Sequence, residues 1–236
     1  MSRRLVSVIL PVHNQADHIG QVVREYEDAL ERGELAYELI LVENASTDRS
    51  LEVCRGLADQ DAAVRVLHSQ RPGWGRAVRL GLEAARGHIL CYANSARTSA
   101  SDLLLLVLYG LANPEAIVKP HRRSRDSLSR RIGSLLYNFE VRVLFDLPTW
   151  DINATPKVFH RDLYRQLSLR SDGDLIDLEF YIQCKALNRA ILEVPIYSWH
   201  RFGGSSTTTY RSAVRMYLGA YRAWQRMRGG TELAAE

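Results

Sequence analysis

Short apolar runs alternate with amphipathic segments along the first half of the chain, and this alternation limits the fold more than any other feature. Strands are predicted at 5–10, 37–43, 64–68, 88–93 and 115–119. Helices are predicted at 16–31, from Ser46-Thr47-Asp48 onward, at 76–86, and from near Ser99 or Ser101. Strands that alternate with helices of about ten to fifteen residues indicate βαβ units. The sequence therefore predicts an α/β fold with a mostly parallel central sheet.

The pattern changes after Pro120. A charge-rich stretch, HRRSRDSLSRR, leads into an apolar helix predicted at 132–147. A helix at 174–188, a strand at 191–196, a Gly/Ser/Thr loop at 203–209 and a final helix at 211–228 follow. We find neither an internal repeat nor a low-complexity linker. The second half is therefore expected to complete a site that the first half begins.

Composition indicates a globular protein of the cytoplasm. The chain has 236 residues, of which 46% are hydrophobic and 25% charged. Its cysteines, Cys54, Cys91 and Cys184, lack C-x-x-C spacing and are expected to be reduced. The apolar run near the N-terminus is too short for a signal peptide, and the longest apolar stretch, Leu103 to Ala112, falls short of the roughly 20 residues of a membrane span. A net charge of +4 favours anionic partners.

Polar clusters stand at the ends of three predicted strands. They are Pro11 to Gln15, Glu43 to Asp48, and Asn94 to Arg97. Parallel strands bring their carboxyl ends to one edge of a sheet, where α/β proteins bind ligands. A glycine loop, Arg71 to Ala77, opens a helix in a way that suits an anion, although its spacing is neither G-x-G-x-x-G nor a P-loop. Each cluster alone is typical of a turn, but their convergence predicts a binding site.

The ordered set of segments resembles a family 2 glycosyltransferase of the GT-A fold. The first half carries PVHNQ, VENASTD and GWGRAVRLGLEAARG, and then a strand that ends where the family has a metal-binding Asp-x-Asp. Later segments resemble the polyprenyl-phosphate (dolichyl-phosphate) sugar synthase branch: DINATPKVFHRD, DLEF and EVPIYSWHRFGGSS. The similarity runs from about residue 4 to residue 206. It implies a Rossmann-like, three-layer α/β/α architecture.

The resemblance also implies a division of the chain. A GT-A glycosyltransferase domain would occupy 1–206, with a nucleotide-binding half at about 1–119 and an acceptor half at about 120–206. Residues 207–236 would form a C-terminal amphipathic helix and tail. The implied nucleotide-binding residues are Pro11, Val12, His13, Asn14, Gln15, Glu43, Asn44, Gly73, Arg76, Asn94 and Ser95.

Further residues are expected to act on the phosphates and the acceptor. By resemblance, Arg131 and Lys157 are candidate catalytic residues, and Ser134, Asp151 and Arg201 are candidate contacts of the acceptor or of phosphate. Asp177 and Glu179 lie two positions apart on a predicted helix, so that only one can face the site. We choose Asp177 as the catalytic candidate.

The Asp-x-Asp position is where this chain departs most from the family. Family members usually bind Mg²⁺ or Mn²⁺ there, whereas this chain has Asn94-Ser95-Ala96. Hard divalent cations prefer carboxylate oxygens, so we assign no metal ligand. Arg97 follows directly, and a guanidinium can hold phosphate oxygens by paired hydrogen bonds. We therefore expect Arg97 to take part of the role of the cation.

Three functions remain in competition. The first is inverting transfer of a sugar from a nucleotide-sugar donor to an acceptor, with polyprenyl phosphate favoured. The second is a catalytically silent relative that binds a nucleotide-sugar. The third, nucleic-acid binding through 121–131, ranks last because no aromatic residue is interleaved there. We therefore expect no nucleic-acid partner.

The C-terminal helix is amphipathic, with a basic and an apolar face. The basic face has Arg211, Arg215, Arg222 and Arg226, and the apolar face has Val214, Tyr217, Leu218, Tyr221 and Trp224. We favour packing of the helix on its own domain or on a second subunit, which would give a homodimer. The alternative is an interfacial helix that brings the protein to anionic lipid at the inner face of the membrane.

Overall fold

A sheet of seven strands organises the chain in the computed structural model, which describes residues 4–122, 128–196, 203 and 210–228. The strands are β1 Leu5–Val12, β2 Ala36–Asn44, β3 Val64–Ser69, β4 Ile89–Tyr92, β5 Ala116–Arg122, β6 Lys157–His160 and β7 Ala190–Ile196. The helices are α1 Ile19–Arg32, α2 Ser50–Gln60, α3 Trp74–Ala84, α4 Ala100–Ala112, α5 Leu128–Phe145, α6 Arg161–Tyr164, α7 Ile176–Ala186 and α8 Tyr210–Arg228.

The strand order is β3-β2-β1-β4-β6-β5-β7. β6 runs antiparallel to β4 and β5, and the other neighbouring strands pair in parallel. The mostly parallel sheet predicted from the alternation is therefore confirmed. The sequence predicts no strand at β6, because its four residues, KVFH, are too few to show a period and begin with a lysine.

Helices cover both faces of the sheet. Along β1, Ile9 belongs to a core that includes residues of α3, α5 and α7, whereas Val8 and Leu10 belong to a second core with residues of α1 and α4. Seven of the eight residues of β1 are buried. Near-continuous apolar character is typical of a strand buried on both faces.

β1 and β2 extend further than the sequence predicts. Pro11 and Val12 lie within β1, where they pair with Val42 and Glu43 of β2. Pairing of β1 with β4 already stops at Ile9. Proline is tolerated at the end of β1 because no ladder bond toward β4 is required there.

Helix α1 begins at Ile19 rather than at residue 16. The preceding backbone is held by the loop after β2 and by the first residue of α2. The N–H of Gln15 donates to Ser50 Oγ at 2.8 Å, and that of Ala16 to Asp48 Oδ2 at 3.1 Å. These bonds hold Gln15 and Ala16 in the loop that precedes α1.

Helix α8 packs on its own domain. Ala220 is fully buried, and Tyr217 donates its hydroxyl hydrogen to the carbonyl oxygen of Gly133 in α5 at 2.6 Å.

Among the helices of the described ranges, none combines the length and the apolar character needed to cross a bilayer.

The start of α3 packs tightly on the loop at 170–173. A Cβ at Gly75 would lie 2.3 Å from the carbonyl oxygen of Ser171 and 2.7 Å from that of Gly173. Both atoms belong to the backbone, so neither can turn aside as a side chain would. Glycine is therefore required at this position for the two segments to meet.

We expect Gly75→Ala to lower the free energy of unfolding by about 1–3 kcal/mol, because the added methyl group overpacks a backbone contact. Gly56→Ala in α2 is the matched control, since a Cβ there meets nothing within 4 Å. The control should instead raise the free energy of unfolding by about 0.5–1 kcal/mol. Urea denaturation of both variants measures the two values, and equal effects would contradict this account.

Candidate active site

The loops after β1 and β2 are bonded to each other at the carboxyl edge of the sheet. The N–H of Asn14, which has a φ of 51°, donates to Ser46 Oγ at 3.0 Å. In return, the N–H of Thr47 donates to Asn14 Oδ1 at 2.8 Å. A non-glycine residue in the left-handed region is uncommon and is held there by such contacts. Two of the predicted strand-end clusters therefore meet.

The segment after β4 joins the same edge. Ser95 donates its hydroxyl hydrogen to Gln15 Oε1 at 2.5 Å, which links this segment to the loop after β1. Asn94 Oδ1 accepts from the N–H of Ala96 at 3.1 Å, and the carbonyl oxygen of Asn94 accepts from the N–H of Arg97 at 3.0 Å. Arg97 is half-buried and lies in a tight turn at the edge where all three clusters converge.

The residues at the Asp-x-Asp position do not fit a divalent cation. The side-chain oxygens of Asn94 and Ser95 are neutral and already hydrogen-bonded, and Ala96 has none. The next carboxylate along the chain, Asp102, accepts from Ser99 Oγ at 2.7 Å in the N-terminal cap of α4. Within the part of the chain that the structure describes, no three His, Cys, Asp or Glu side chains are grouped to hold a metal ion.

Glu43 is engaged by its own domain. Its Oε1 accepts from the N–H of Ser46 at 2.6 Å, and its Oε2 lies 2.5 Å from His68 Nδ1. Burial is the largest influence on the pKa of Glu43 and would raise it, but the hydrogen bonds from Ser46 and His68 together hold it below its usual value. The buried carboxylate therefore fixes the loop after β2.

Asn44 presents an acceptor atom without a partner. The residue is buried, and its Nδ2 donates to the carbonyl oxygen of Gly73 at 3.2 Å. Its Oδ1 is buried and has no hydrogen-bond partner among the described residues. The carbonyl oxygen of Asn44 lies 2.7 Å from Nδ1 of His13. A buried polar atom without a partner is costly unless a ligand or water completes it. Unlike the carboxylate of Glu43, Asn44 Oδ1 therefore has hydrogen-bonding capacity that the described residues leave unused.

The glycine loop is tethered to the loop at 170–173. The N–H of Arg76 donates to the carbonyl oxygen of Asp172 at 2.9 Å, and its guanidinium contacts the carboxylate of Asp172 at 3.4 Å and Ser69 Oγ at 3.1 Å. Arg79 adds an ion pair to Asp172 at 3.0 Å. The resemblance to the family predicts Gly73 and Arg76 as nucleotide contacts but does not indicate Asp172, because only the fold brings Asp172 to α3.

Lys157 and Asp177 form a buried ion pair. Lys157 Nζ bonds to Asp177 Oδ1, which also accepts the hydroxyl hydrogen of Tyr92 at 2.7 Å. Burial lowers the pKa of Lys157, and the charge of Asp177 opposes part of that shift. Burial, together with Asp177, raises the pKa of Tyr92, so that its hydroxyl stays a donor. Sequence reasoning chose Lys157 and Asp177 but missed Tyr92, which ends β4.

Glu179, two residues after Asp177, contacts a different part of the chain. Its carboxylate accepts the N–H groups of Arg170 at 2.9 Å and Ser171 at 2.8 Å. Glu179 therefore shapes the loop at 170–173, while Asp177 pairs with Lys157. The different orientations match the expectation for positions two apart on a helix.

Asp151 belongs to a second ion network. Its two oxygens accept from Arg122 Nε at 2.8 Å and Nη2 at 2.9 Å, and its φ is 51°. The fully buried Lys119 donates to Thr149 Oγ1 at 3.0 Å and contacts Glu193 Oε1 at 3.1 Å. The carboxylate of Asp151 is thus held by Arg122.

For three of the predicted site residues, the structure does not describe the side chain. Arg131 and Ser134 fall within α5, but their side chains lie outside the described residues. Arg201 also lies outside them. Their roles stay predictions.

Sequence comparison finds glycosyltransferases, among them an undecaprenyl-phosphate sugar transferase. Residues 7–168 match the family model "Glycosyl transferase family 2". The chain is 26% identical over 162 residues to the undecaprenyl-phosphate 4-deoxy-4-formamido-L-arabinose transferase of Pseudomonas paraeruginosa, covering 67% of this chain and 48% of that protein. It is 28% identical over 233 residues to glycosyltransferase AglD of Haloferax volcanii, covering 93% and 37%. The chain therefore spans about half the length, or less, of these curated relatives.

Solved structures show the same fold. Glucosyl-3-phosphoglycerate synthase from Mycobacterium tuberculosis, in complex with Mn²⁺, uridine diphosphate and phosphoglyceric acid, superposes with a TM-score of 0.73 at 20% identity, covering 97% of this chain and 79% of that chain. Mannosyl-3-phosphoglycerate synthase from Rubrobacter xylanophilus gives 0.74 at 19% identity, covering 99% and 77%. The expected GT-A architecture, three layers with a mostly parallel sheet, is confirmed.

The match to the family model begins in β1 and ends beyond β6, so it includes each strand whose end contributes to the candidate site. It also covers well over half of the chain. The chain belongs to glycosyl transferase family 2.

Proposed function

We propose that this protein transfers a sugar from a nucleotide-sugar to a polyprenyl phosphate, with inversion at the anomeric carbon. The observation that carries the proposal is the meeting of three strand-end segments at one edge of the sheet, bonded through Asn14, Gln15 and Ser95. Family membership supports the transferase activity. The name of the relative from Pseudomonas paraeruginosa, an undecaprenyl-phosphate sugar transferase, supports a polyprenyl phosphate acceptor.

The donor nucleoside would lie across the ends of β1 and β2. Pro11, Val12 and His13 would line one side of the base, and the free Oδ1 of Asn44 would accept an N–H from it. A site that must satisfy a buried acceptor selects ligands that have a donor in the matching place. The bonded loops hold this arrangement before the ligand arrives.

The diphosphate would lie beside the turn after β4. Negative charge grows on the departing nucleoside diphosphate as its bond to the sugar breaks, and fixed positive groups there favour the transition state. Arg97 supplies such a group on the proposed mechanism. Arg131, Ser134 and Arg201 would meet the phosphates of donor or acceptor, as the resemblance to the lipid-phosphate branch implies.

The environment of Asp177 favours an acceptor that is already ionised. A carboxylate that holds a lysine ammonium and a tyrosine hydroxyl is poorly placed to take a proton from an acceptor hydroxyl. The second pKa of a phosphate monoester is about 6, so an oxygen of a lipid phosphate is anionic near neutral pH. That oxygen would attack the anomeric carbon from the side opposite the diphosphate, and the configuration inverts as the nucleoside diphosphate leaves.

A second candidate is a binding protein without transferase activity. The absence of carboxylates at 94–96 favours it, because the family's usual metal ligands are missing there. This binding protein would use the same nucleotide site as the proposed transferase but would not transfer the sugar.

We expect Asn44→Ala to weaken nucleoside diphosphate binding by about 1–3 kcal/mol, since a buried hydrogen bond to the base is lost. Asn113→Ala, at the C-terminal end of α4, is the control and should leave affinity unchanged. Calorimetry with UDP, GDP and dTDP measures the effect. Equal affinities of Asn44→Ala and the parent chain for every ligand would remove Asn44 from the site.

We expect transfer to continue in excess chelator, and Arg97→Ala to lower kcat/KM by about 10²–10³-fold, because the arginine stabilises the leaving diphosphate. Arg55→Ala, an exposed arginine of α2, is the matched control. Loss of turnover in chelator with recovery on addition of Mn²⁺ would show that other residues bind a metal. Donor binding without turnover of any donor would favour the silent relative.

We expect Asp177→Asn to destabilise the fold by about 3–5 kcal/mol, because Lys157 is left buried and unpaired. The double variant Lys157→Met with Asp177→Asn removes both charges and should recover much of that loss. Below its melting temperature, Asp177→Asn should retain transfer to a phosphate acceptor within about 100-fold of the parent chain. A loss near 10⁴-fold in a folded protein would instead assign proton transfer to Asp177.

A further inference from the structure

Helices α5 and α8 expose large apolar side chains that nothing in the described chain covers. We call these side chains the α5–α8 surface. Among them, Phe139 is 61% exposed, Val143 64% and Leu218 50%. The α5–α8 surface consists of Leu135, Leu136, Phe139 and Val143 of α5 with Val214, Leu218 and Tyr221 of α8. Contiguous exposed apolar patches on a folded protein mark interaction sites.

The two helices that bear these exposed side chains are in direct contact. The rings of Tyr137 and Tyr217 meet edge to face with centroids 5.5 Å apart, and the hydroxyl of Tyr217 is bonded to the backbone of α5 at Gly133. On each helix the exposed apolar residues recur at helical spacing along one side. The contact between the helices places both sets of exposed apolar side chains in the same region of the protein.

Helix α8 contributes positive charge, and no negative charge, next to this surface. Residues 210–228 include five arginines and neither Asp nor Glu. Of these arginines, Arg215 and Arg222 are exposed beside the apolar residues. An amphipathic helix with Leu, Val and aromatic residues on one side and arginines on the other is suited to an anionic interface.

We propose that the α5–α8 surface docks on an anionic lipid bilayer. A second copy of the chain on the same surface would bring the arginines of two α8 helices together, and like charges oppose that contact. Anionic headgroups instead neutralise the arginines while the apolar side chains enter the acyl boundary. This inference rests on the proposed function and deepens it. A protein docked through this surface would have a lipid phosphate acceptor within reach of its active site.

The docking surface borders the candidate active site. The guanidinium of Arg142 in α5 lies 4.3 Å from the ring centroid of Trp150, whose side chain is 41% exposed. Asp151 follows directly and pairs with Arg122. A bilayer against α5 would therefore present lipid headgroups within a short distance of the second ion network.

Vesicle flotation with the full chain tests the proposal without any donor or turnover. We expect binding to vesicles of phosphatidylcholine and phosphatidylglycerol in equal parts, and little binding to phosphatidylcholine alone. The double variant Phe139→Ser with Leu218→Ser should lower partitioning at least about tenfold. Arg215→Gln and Arg222→Gln should each lower it by about fivefold, and added salt should weaken binding of the parent chain.

Helix α4 supplies a matched control. Leu105, Leu108 and Tyr109 form an exposed apolar face there, but α4 has no arginine or lysine. Leu105→Ser with Leu108→Ser should leave vesicle binding unchanged. Melting temperatures of all variants verify folding, and the Arg→Gln variants test the proposal even if the apolar double variant is unstable.

Three results would overturn the proposal. One is the absence of binding to anionic vesicles, and another is an equal loss in the α4 control. The third is a dimer of the parent chain that Phe139→Ser with Leu218→Ser dissociates without any vesicle binding, because the surface would then belong to a second copy. Vesicle binding without sugar transfer would support the docking surface while contradicting the transferase proposal, so the two failures are distinguishable.

Discussion

The parallel pairing of β1 with β2 on one side and β4 on the other is the constraint on which the rest of the structure depends. It brings the ends of three strands to one edge, and both faces of β1 are filled by separate cores. Side chains then lock the loops, since Asn14 is bonded to the loop after β2 and Gln15 to Ser95. The loops thus add hydrogen bonds to a geometry that the buried sheet has already set.

Buried charge is concentrated in the second half of the chain, next to this edge. Lys119 and Lys157 are both fully buried, and each has a carboxylate partner, Glu193 or Asp177. A buried ion pair contributes little net stability compared with apolar residues of similar size, but loss of one partner is strongly destabilising. Such pairs hold specific side chains in place. Here they fix Asp177 and the segment around Trp150 and Asp151 beside the proposed phosphate site.

The departure at the Asp-x-Asp position affects the whole electrostatic design of the site. Carboxylates serve a family member by holding a cation, and without the cation they would repel the diphosphate of the donor. Neutral side chains at Asn94 and Ser95 remove that repulsion. On the proposed mechanism the positive charge comes from the protein itself, through Arg97 in the same turn. The neutral residues and the arginine are consistent with one another under the proposed mechanism, in which no metal is bound at this position.

The sequence by itself determined the α/β class, the mostly parallel sheet, the strand ends that form the site and the family, because these depend on local periodicity and on the order of short segments. Only the tertiary structure decided that β6 enters the sheet antiparallel, that Glu43 is used by His68 and Ser46, and that Tyr92 bonds to Asp177. The physical reason is that a polar side chain, such as Lys157 at the start of β6, resembles a surface residue until its partner is known. That partner, Asp177, is twenty residues away and is brought close only by the fold.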